Sequence, residues 1–375
     1  MEYLISVVVP TKNRYKYLKN LISLVDGYGL PELELVIQDN SDNNEEIRDF
    51  LKTFSNSNIH YYYSTDLLTM STNADAGIRH AKGEYVCYIG DDDGVCRNIV
   101  DCVKWMKKNS IDGVKTGKAI FNYNEDINKP SLLSMTNKIS AHLDNPIARL
   151  EQAVKRGLIL ADSYIPMVYQ SIIKKTVLDK VYERGGTHFP GVVPDISGGV
   201  CICFELQKYV VLDIPVVING LSKNASGGIF AKNTRGVLPL DEVTFITQEA
   251  RDHWDSRLPR LWYGSSVWTD AGIKALEYMG DSKLLSCVNF EYSYARALRF
   301  YPWLKQEILK YSQNHMTLFY WVVWQTVRRY WKALGNRIIK KNRLKQKLGL
   351  SGIEACEEYI MESLQGDSFN DLIIK

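Results

Sequence analysis

Residues 5–14 read Ile-Ser-Val-Val-Val-Pro-Thr-Lys-Asn-Arg, a β-branched run that ends in a polar cluster. Such a continuous apolar run is typical of a strand in a parallel sheet that is covered on both faces. The chain continues with apolar residues at helical spacing over 17–25, a second apolar run over 33–37 and helical signals over 47–54. This alternation of strand and helix predicts an α/β domain with a mostly parallel sheet.

Polar clusters follow three of the predicted strands, at residues 10–14, 38–42 and 91–93. The last cluster comes directly after a predicted strand over 85–89. In open α/β sheets, ligands bind beyond the carboxyl ends of the strands. The sequence therefore predicts a binding site built from these three clusters.

The third cluster, Asp91-Asp92-Asp93, is the most informative one. Adjacent carboxylates repel one another unless a cation neutralises them. A hard divalent ion such as Mg²⁺ or Mn²⁺ suits one or two carboxylates together with substrate phosphates. A solvated acidic turn is the other interpretation, and the position after a buried strand favours the site.

Three motifs taken together resemble family 2 glycosyltransferases. They are Ser-Val-Val-Val-Pro-Thr-Lys-Asn-Arg at 6–14, Val-Ile-Gln-Asp-Asn-Ser-Asp at 36–42, and the run from Asn73 through Gly83-Glu-Tyr to Asp91-Asp92-Asp93. Their order and spacing are similar to those of the family's nucleotide-sugar domain. The resemblance implies an inverting enzyme with a GT-A-type fold, that is, an α/β Rossmann-like nucleotide-sugar domain with a mixed, mostly parallel sheet.

The resemblance also suggests how the chain is divided. It is strong over residues 4–95, weaker up to residue 230 and absent beyond, where helical signals dominate. We expect a glycosyltransferase domain over 1–235, with its nucleotide-sugar half at 1–110 and its acceptor half at 111–235. A mainly helical C-terminal region with a basic aromatic segment is expected over 236–375.

The resemblance implies roles for individual residues in binding the nucleotide sugar. These residues are Pro10, Thr11, Asn13, Arg14, Asp39, Asp42, Asn73, Arg79, Asp91 and Asp92. Asp39 matches the acid that accepts a hydrogen bond from the nucleotide base. For Arg79, a surface charge on a helix is the alternative.

A divalent ion on the donor diphosphate, Mn²⁺ or Mg²⁺, is also implied by the resemblance. The family's usual leading Asp is Gly90 in this chain. This departure leaves the metal ligand open between Asp92 and Asp93. The small residues of 220–228 suggest either an anion-binding loop over the diphosphate or a plain surface loop.

Asp195 is the predicted catalytic base. An inverting transfer needs a group that takes the proton from the acceptor hydroxyl. The stretch His188-Phe-Pro-Gly-Val-Val-Pro-Asp195 places a single acid after two prolines, before an apolar run over 200–206. It resembles the family's acceptor-side motif, in which an acid begins a helix under the acceptor. A helix N-cap is the other interpretation of Asp195, and Glu205 is a further candidate.

The segment 328–347 holds nine Lys or Arg residues and no acid, and Trp and Tyr residues precede it. Three interpretations are open: a membrane-surface helix, a nucleic-acid patch, or a solvated helix face beside packed aromatic residues. The resemblance favours the first, because lipid-linked saccharide acceptors lie at the cytoplasmic face of membranes. We therefore expect peripheral membrane contact through 319–347 and no nucleic-acid partner.

Composition and missing motifs argue against other classes. Hydrophobic residues make up 45% and charged residues 24% of the chain, which is typical of a globular protein, and a net charge of +3 does not favour nucleic-acid binding. Seven cysteines without a CxxC pair fit neither a disulfide framework nor a four-ligand zinc site, and they favour a reducing compartment. The glycine motifs of dinucleotide-binding oxidoreductases and of P-loop enzymes are missing from the sequence. We also expect neither a signal peptide nor a membrane-spanning helix.

The sequence thus predicts a metal-dependent, inverting glycosyltransferase. It would move a sugar from a nucleotide-diphosphate sugar to a saccharide hydroxyl, with a lipid-linked saccharide as the expected acceptor. The expected setting is the synthesis of a bacterial surface polysaccharide, in the cytoplasm and at the inner face of the plasma membrane. The alternative is a non-catalytic nucleotide- or carbohydrate-binding protein that retains the GT-A fold.

Overall fold

A computed structural model of the chain describes residues 3–66, 68–125, 129–223, 236–338, 344–364, 369 and 371–375, and for 161, 163 and 332–338 it describes the backbone alone. Its strands are β1 (Tyr3–Thr11), β2 (Leu33–Asp39), β3 (Ile59–Tyr63), β4 (Gly83–Tyr88), β5 (Gly94–Val95), β6 (Gly113–Gly117), β7 (Ala119–Asn122), β8 (Leu132–Met135), β9 (Ala141–Asp144), β10 (Ser171–Lys174), β11 (Tyr209–Pro215), β12 (Val217–Leu221), β13 (Leu238–Pro239), β14 (Leu261–Trp262) and β15 (Lys345–Leu348). Its helices are α1 (Tyr15–Tyr28), α2 (Glu45–Leu51), α3 (Met70–His80), α4 (Ile99–Lys108), α5 (Pro146–Val154), α6 (Leu160–Ser163), α7 (Lys175–Glu183), α8 (Pro194–Glu205), α9 (Gln248–Asp252), α10 (Gly264–Met279), α11 (Ser282–Ser286), α12 (Phe290–Phe300), α13 (Lys305–Tyr311), α14 (His315–Ile338) and α15 (Ile353–Leu364).

The largest sheet has eight strands in the order β3-β2-β1-β4-β10-β6-β11-β9. Strands β3, β2, β1 and β4 run parallel to one another, and so do β6 and β11. Strand β10 is antiparallel to both of its neighbours, and β9 is antiparallel to β11. The predicted α/β fold with a mixed, mostly parallel sheet is confirmed.

The side chains of β1 explain why the central strands are apolar at nearly every position. Ile5, Val7 and Val9 are buried in one core with residues of α1, α4 and α15. Val8 is buried in a second core with residues of α3, α8 and α10. Successive side chains of a strand point to opposite faces of the sheet. A strand with a hydrophobic core on each face therefore reads as a continuous apolar run.

The register of the parallel strands brings the predicted polar clusters to one edge. Thr11, the last residue of β1, lies opposite Asp39, the last residue of β2. On the other side of β1, Val8 lies opposite Tyr88, the last residue of β4. The loops that follow these three strands therefore leave the sheet side by side.

A second sheet has the order β15-β8-β7-β12-β5, and its edge strand β15 comes from the C-terminal part of the chain. Helix α15 packs on α1 and β12 and buries Ile353, Cys356 and Ile360 in the core that also holds β1. Arg97 forms two hydrogen bonds with the buried carboxylate of Glu357 on α15, at 2.9 and 2.8 Å. The expected domain boundary at residue 235 stays a prediction, and the last described segment contributes to the core of the first part of the chain.

Helices α10, α12, α13 and α14 surround a third core that includes Trp254, Trp262 and Tyr294. The expected C-terminal helical region is confirmed. In the part of the chain that the structure describes, no helix has the length and apolar character needed to cross a membrane.

Candidate active site

The loops after β1 and β2 are joined by hydrogen bonds between predicted site residues. Asn13 has a left-handed φ of 58°, a conformation that Asn adopts more readily than most residues. Its side-chain N–H donates to Asp42 Oδ2 at 2.8 Å, and the backbone N–H of Asp42 donates to Asn13 Oδ1 at 3.0 Å. Pro10 lies half-buried in β1, opposite Gln38 of β2. The reciprocal bonds give the loop after β1 a defined position over the end of β2.

Asp39 is a fully buried carboxylate at the end of β2. The hydroxyls of Tyr15 and Tyr61 donate to its Oδ2 at 2.7 and 2.6 Å, and the backbone N–H of Ser41 donates to its Oδ1 at 2.8 Å. Burial, together with the hydrogen bonds to Asp39, raises the pKa of both tyrosines. Both phenols therefore stay protonated donors, and three donors hold the carboxylate in one orientation.

Asp91 and Asp92 share one guanidinium, that of Arg14. Arg14 Nη1 lies 3.1 Å from Asp91 Oδ1, and its Nη2 lies 2.8 Å from Asp92 Oδ2. The hydroxyl of Thr11 donates to Asp91 Oδ2 at 2.7 Å, and the hydroxyl of Ser222 donates to Asp92 Oδ2 at 2.5 Å. The structure thus joins predicted residues from the end of β1 and from the acidic triplet in one cluster.

Asp93 is enclosed by protein donors. Its Oδ2 accepts hydrogen bonds from the Tyr169 hydroxyl at 2.7 Å, from Gln170 Nε2 at 3.0 Å and from the Gly90 backbone N–H at 2.8 Å. Its Oδ1 accepts from the backbone N–H of Gly220 at 2.8 Å. The four donors make Asp93 an anchor between β4, β10 and β12.

Burial dominates the electrostatics of the triplet. It raises the pKa of Asp91 to about 7, against the opposing effect of the Arg14 charge. It raises the pKa of Asp93 to about 6, although hydrogen bonds from Gln170 and Tyr169 favour the ionised form. Negative charge in this site is therefore costly, and Arg14 offsets part of it.

Helix α3 contributes Asn73 but not Arg79 to this cluster. Asn73 is buried, its Nδ2 donates to Thr11 O at 3.3 Å, and its Oδ1 accepts no hydrogen bond from the described residues. Arg79 is half-exposed in the last turn of α3 and forms an ion pair with Asp75 at 3.4 Å. The role of Arg79 in donor binding stays a prediction.

Asp195 lies in the first turn of α8, whose N-cap is Val193. The N-cap interpretation of Asp195 is therefore wrong. Burial, and then the charge of Asp93, raises the pKa of Asp195 to about 6. The segment before it is held to α3, because the buried His188 places its backbone N–H and its Nδ1 each 2.7 Å from Asp75 Oδ1. Glu205 lies at the other end of α8 and pairs with Arg184 at 2.7 Å.

A comparison with protein-family models matches a part of the chain that carries the acidic triplet, whereas Asp195, Gly220 and Ser222 lie beyond it. Residues 6–176 match the model described as Glycosyl transferase family 2. This part of the chain is a family 2 glycosyltransferase domain. The match includes the acidic triplet and the loops after β1 and β2, and it supports transfer of a sugar from a nucleotide sugar. A search of curated proteins gave no match.

Two of the solved structures similar to the chain contain a bound nucleotide sugar. TarS residues 1–349 from S. aureus, in complex with UDP-GlcNAc, is 16% identical with a TM-score of 0.48, and the alignment covers 82% of this chain and 89% of that one. The mannosyltransferase PcManGT from Pyrobaculum calidifontis, in complex with GDP-Man and Mn²⁺, is 16% identical with a TM-score of 0.40, over 91% of this chain and 89% of that one.

Several residues of the glycosyltransferase site have no signal in the sequence. Tyr169 and Gln170 reach Asp93 because the antiparallel strand β10 lies beside β4. Asn219 Nδ2 donates to Gln170 Oε1 at 2.6 Å and holds that side chain in place. Ser222 lies within 220–228, the stretch whose small residues suggest either an anion-binding loop over the diphosphate or a plain surface loop. Residues 224–228 of that stretch lie outside the described residues.

A cavity of about 420 Å³ borders the site. Tyr17, whose ring centre lies 5.5 Å from the Arg14 guanidinium carbon, lines it together with Tyr123, whose hydroxyl donates to the backbone oxygen of Asp92 at 3.2 Å. The remaining lining residues are Lys16, Asn20, Phe121, Glu125, Ser131, Gly349, Leu350 and Ser351. The site therefore has open space next to the aromatic residues that contact Arg14 and the triplet.

The acidic triplet, as it is arranged, does not fit a divalent ion. Asp93, one of the two ligands expected from the sequence, already accepts four hydrogen bonds. Asp92, the other one, contacts the cationic Arg14. The described residues contain no group of three or more His, Cys, Asp or Glu side chains arranged to hold a metal ion. The ligand roles of Asp92 and Asp93 stay predictions from the resemblance.

Proposed function

We propose that this protein is an inverting glycosyltransferase that moves a sugar from a nucleotide-diphosphate sugar to a saccharide hydroxyl. The observation that carries this proposal is Asp195, a carboxylate at the start of α8 that interacts electrostatically with Asp93 of the triplet and with Tyr169. A pKa of about 6 leaves it mostly ionised at pH 7. That is the protonation state that a general base needs.

The reaction uses the two sides of the site differently. Asp195 takes the proton of the acceptor hydroxyl, and the hydroxyl oxygen forms a bond to the anomeric carbon. The bond from that carbon to the diphosphate oxygen breaks at the same time, and the nucleoside diphosphate leaves with the electron pair. Attack on the face opposite to the leaving group inverts the configuration.

The donor binds at the carboxyl edge of the sheet. Asp39 accepts a hydrogen bond from the nucleotide base, and Asn13 and Asp42 shape the loop beside it. Arg14 lies next to the departing diphosphate, where a positive charge stabilises the negative charge that develops. No step of this mechanism uses the divalent ion predicted from the sequence, because the triplet does not fit one as arranged.

Donor binding is tested by thermal unfolding with UDP, GDP, dTDP and CMP, each with and without Mn²⁺. A nucleotide at 100 times its Kd stabilises the folded protein by about 2.7 kcal/mol, and the matching donor sugar then enters a transfer assay. We expect one nucleotide to raise the melting temperature and the product to have the inverted anomeric configuration. Stabilisation without transfer to any saccharide would favour the alternative, a non-catalytic binding protein.

The acceptor in this proposal is a saccharide carried on a membrane lipid, and α14 is the part of the chain that contacts the membrane. One face of α14 exposes apolar side chains at helical spacing, namely Met316, Phe319, Tyr320, Val323, Val327, Tyr330 and Trp331. Arg299 lies next to this face, and its pKa is lowered first by burial and then by the positive charges of Arg296 and Arg329. Apolar residues beside clustered arginines suit an anionic lipid surface, such as the inner face of a plasma membrane during synthesis of a bacterial surface polysaccharide.

Flotation with lipid vesicles tests this contact. We expect the protein to float with vesicles that contain phosphatidylglycerol, and to do so less at high salt, but not with pure phosphatidylcholine. The double variant Phe319→Ser, Trp331→Ser should stay in the soluble fraction, whereas Ile139→Ser, which removes an exposed apolar residue elsewhere, should behave like the wild type. Equal flotation of the double variant would refute the assignment of α14.

A further inference from the structure

The guanidinium of Arg14 occupies the position between two carboxylates that a cation of the acidic triplet would have to take. Its two terminal nitrogens each contact a different acid, Nη1 to Asp91 at 3.1 Å and Nη2 to Asp92 at 2.8 Å. Asp91 Oδ1 accepts no hydrogen bond from the described residues, so its contact there is the ion pair. A side chain from the loop after β1 thus offsets part of the negative charge of the two acids.

Contacts from several parts of the chain hold Arg14 in this position. Arg14 Nη2 donates to Ser222 Oγ at 2.8 Å, and Ser222 in turn donates to Asp92. The ring of Tyr17 lies 5.5 Å from the guanidinium carbon. The side chain is 19% exposed, which leaves little water around the charge. A cation fixed in this way is part of the folded site rather than a mobile surface charge.

The third acid does not offer a second place for a metal ion. Asp93 is fully buried, and its two oxygens accept four hydrogen bonds from the protein. A divalent ion bound to Asp93 would have to displace these donors. A divalent ion bound to Asp91 and Asp92 would lie next to the guanidinium of Arg14. The two positive charges would repel each other strongly, because they would be in direct contact range.

We infer that Arg14 is the built-in counter-ion of Asp91 and Asp92, and that it prevents a divalent ion from binding to the triplet in the nucleotide-free protein. Arg14 is also suited to bind a phosphate group, because its Nε is buried and donates no hydrogen bond to any of the described residues. An oxygen of an incoming diphosphate would satisfy this donor. The inference rests on the proposed function, because it assigns Arg14 to the diphosphate of that reaction.

Binding of Mn²⁺ alone, without nucleotide or sugar, tests the inference. Electron paramagnetic resonance of free Mn²⁺ is followed during titration of the wild type, of Arg14→Gln and of Arg14→Lys. We expect no saturable site in the wild type or in Arg14→Lys. In Arg14→Gln we expect a single saturable site. Its affinity for Mn²⁺ should be at least about tenfold higher than any binding by the wild type, because the neighbouring positive charge is gone.

Two controls locate the effect. Adding Asp92→Asn to Arg14→Gln should abolish the new Mn²⁺ site. Arg149→Gln, which removes an arginine paired with Asp144, should not create a Mn²⁺ site. Circular dichroism melting shows whether each variant is folded, and Arg14→Met replaces Arg14→Gln if the latter is not. The inference is wrong if the wild type binds one Mn²⁺ that Asp92→Asn removes, or if a folded neutral variant gains no site. Since no nucleotide is present, failure of the proposed function would show instead in the nucleotide titrations and the transfer assay.

Discussion

Replacing Asp195 by Asn should make the protein more stable and nearly inactive. Burial raises the pKa of this carboxyl from 3.8 to about 6. A tenfold change in an ionisation equilibrium corresponds to about 1.4 kcal/mol. At pH 8 the ionised carboxylate therefore lowers the free energy of unfolding by about 3 kcal/mol at most. Screening by solvent reduces this effect, so we expect a value of about 1–3 kcal/mol.

The pH dependence has a definite sign. Because the pKa of Asp195 is higher in the folded than in the unfolded state, folding is favoured at low pH, and this stability is lost as the pH rises through about 6. Asp195→Asn should thus raise the free energy of unfolding at pH 8. This gain in stability should shrink as the pH falls toward 3.8, the ordinary pKa of an aspartate. If the acid merely served the helix dipole, its loss would instead cost about 0.3–1 kcal/mol.

Two assays check this prediction. Urea unfolding at several pH values measures the stability, and turnover with the identified donor measures the activity, which should fall by about 10²–10⁴ while the nucleotide still raises the melting temperature. Asp179→Asn, which removes a half-exposed acid on α7 paired with Lys175, serves as the control and should change neither. Near-normal turnover of Asp195→Asn, or a loss of stability at pH 8, would refute the reasoning.

Three other changes test the construction of the site and the fold. Asp39→Asn puts an amide in front of two tyrosine donors, so we expect a loss of about 1–3 kcal/mol in urea unfolding and a smaller nucleotide-induced rise in melting temperature. Gly220→Ala would place a Cβ 1.7 Å from the backbone oxygen of Asp92, so it should lower stability and nucleotide binding, whereas Gly27→Ala, with no atom within 4 Å of its Cβ, should raise stability by about 0.5–1 kcal/mol. Arg97→Gln leaves the buried Glu357 without its guanidinium partner and should cost about 1–3 kcal/mol. The double variant with Glu357→Gln should recover part of this loss, and equal losses in both would contradict the pairing.

The parallel half of the fold was predictable because its signals are local. Residues 5–9 form an apolar strand, and the helical spacing of Leu18, Leu21 and Val25 corresponds to the buried face of α1. Such periodicity depends on neighbours a few residues apart, so it can be read without any knowledge of the tertiary structure. The same holds for the polar clusters after β1, β2 and β4, since strand ends of a parallel sheet meet at one edge.

The antiparallel insertion of β10 was not predictable in this way. Strand β10 is four residues long, and its neighbour in the chain, Gln170, has a left-handed φ of 57°. Nothing in so short a segment indicates that it pairs with β4 and brings Tyr169 and Gln170 to Asp93. The return of the chain end to the first core was missed for the same reason, because α15 shows an ordinary amphipathic pattern that does not name its partner.

The sequence by itself determined the alternating strands and helices, the edge of the sheet that carries the site, and the likeness to family 2 glycosyltransferases. Tertiary structure alone decided how the acids of the site are compensated. Arg14 and Ser222 are 208 residues apart, Asp93 and Tyr169 are 76 apart, and Arg97 and Glu357 are 260 apart. Contacts across such separations leave no local period in the sequence. They arise only when the packing of the sheet and its helices brings the two segments together, and this packing sets the charge state and the cation of the acidic triplet.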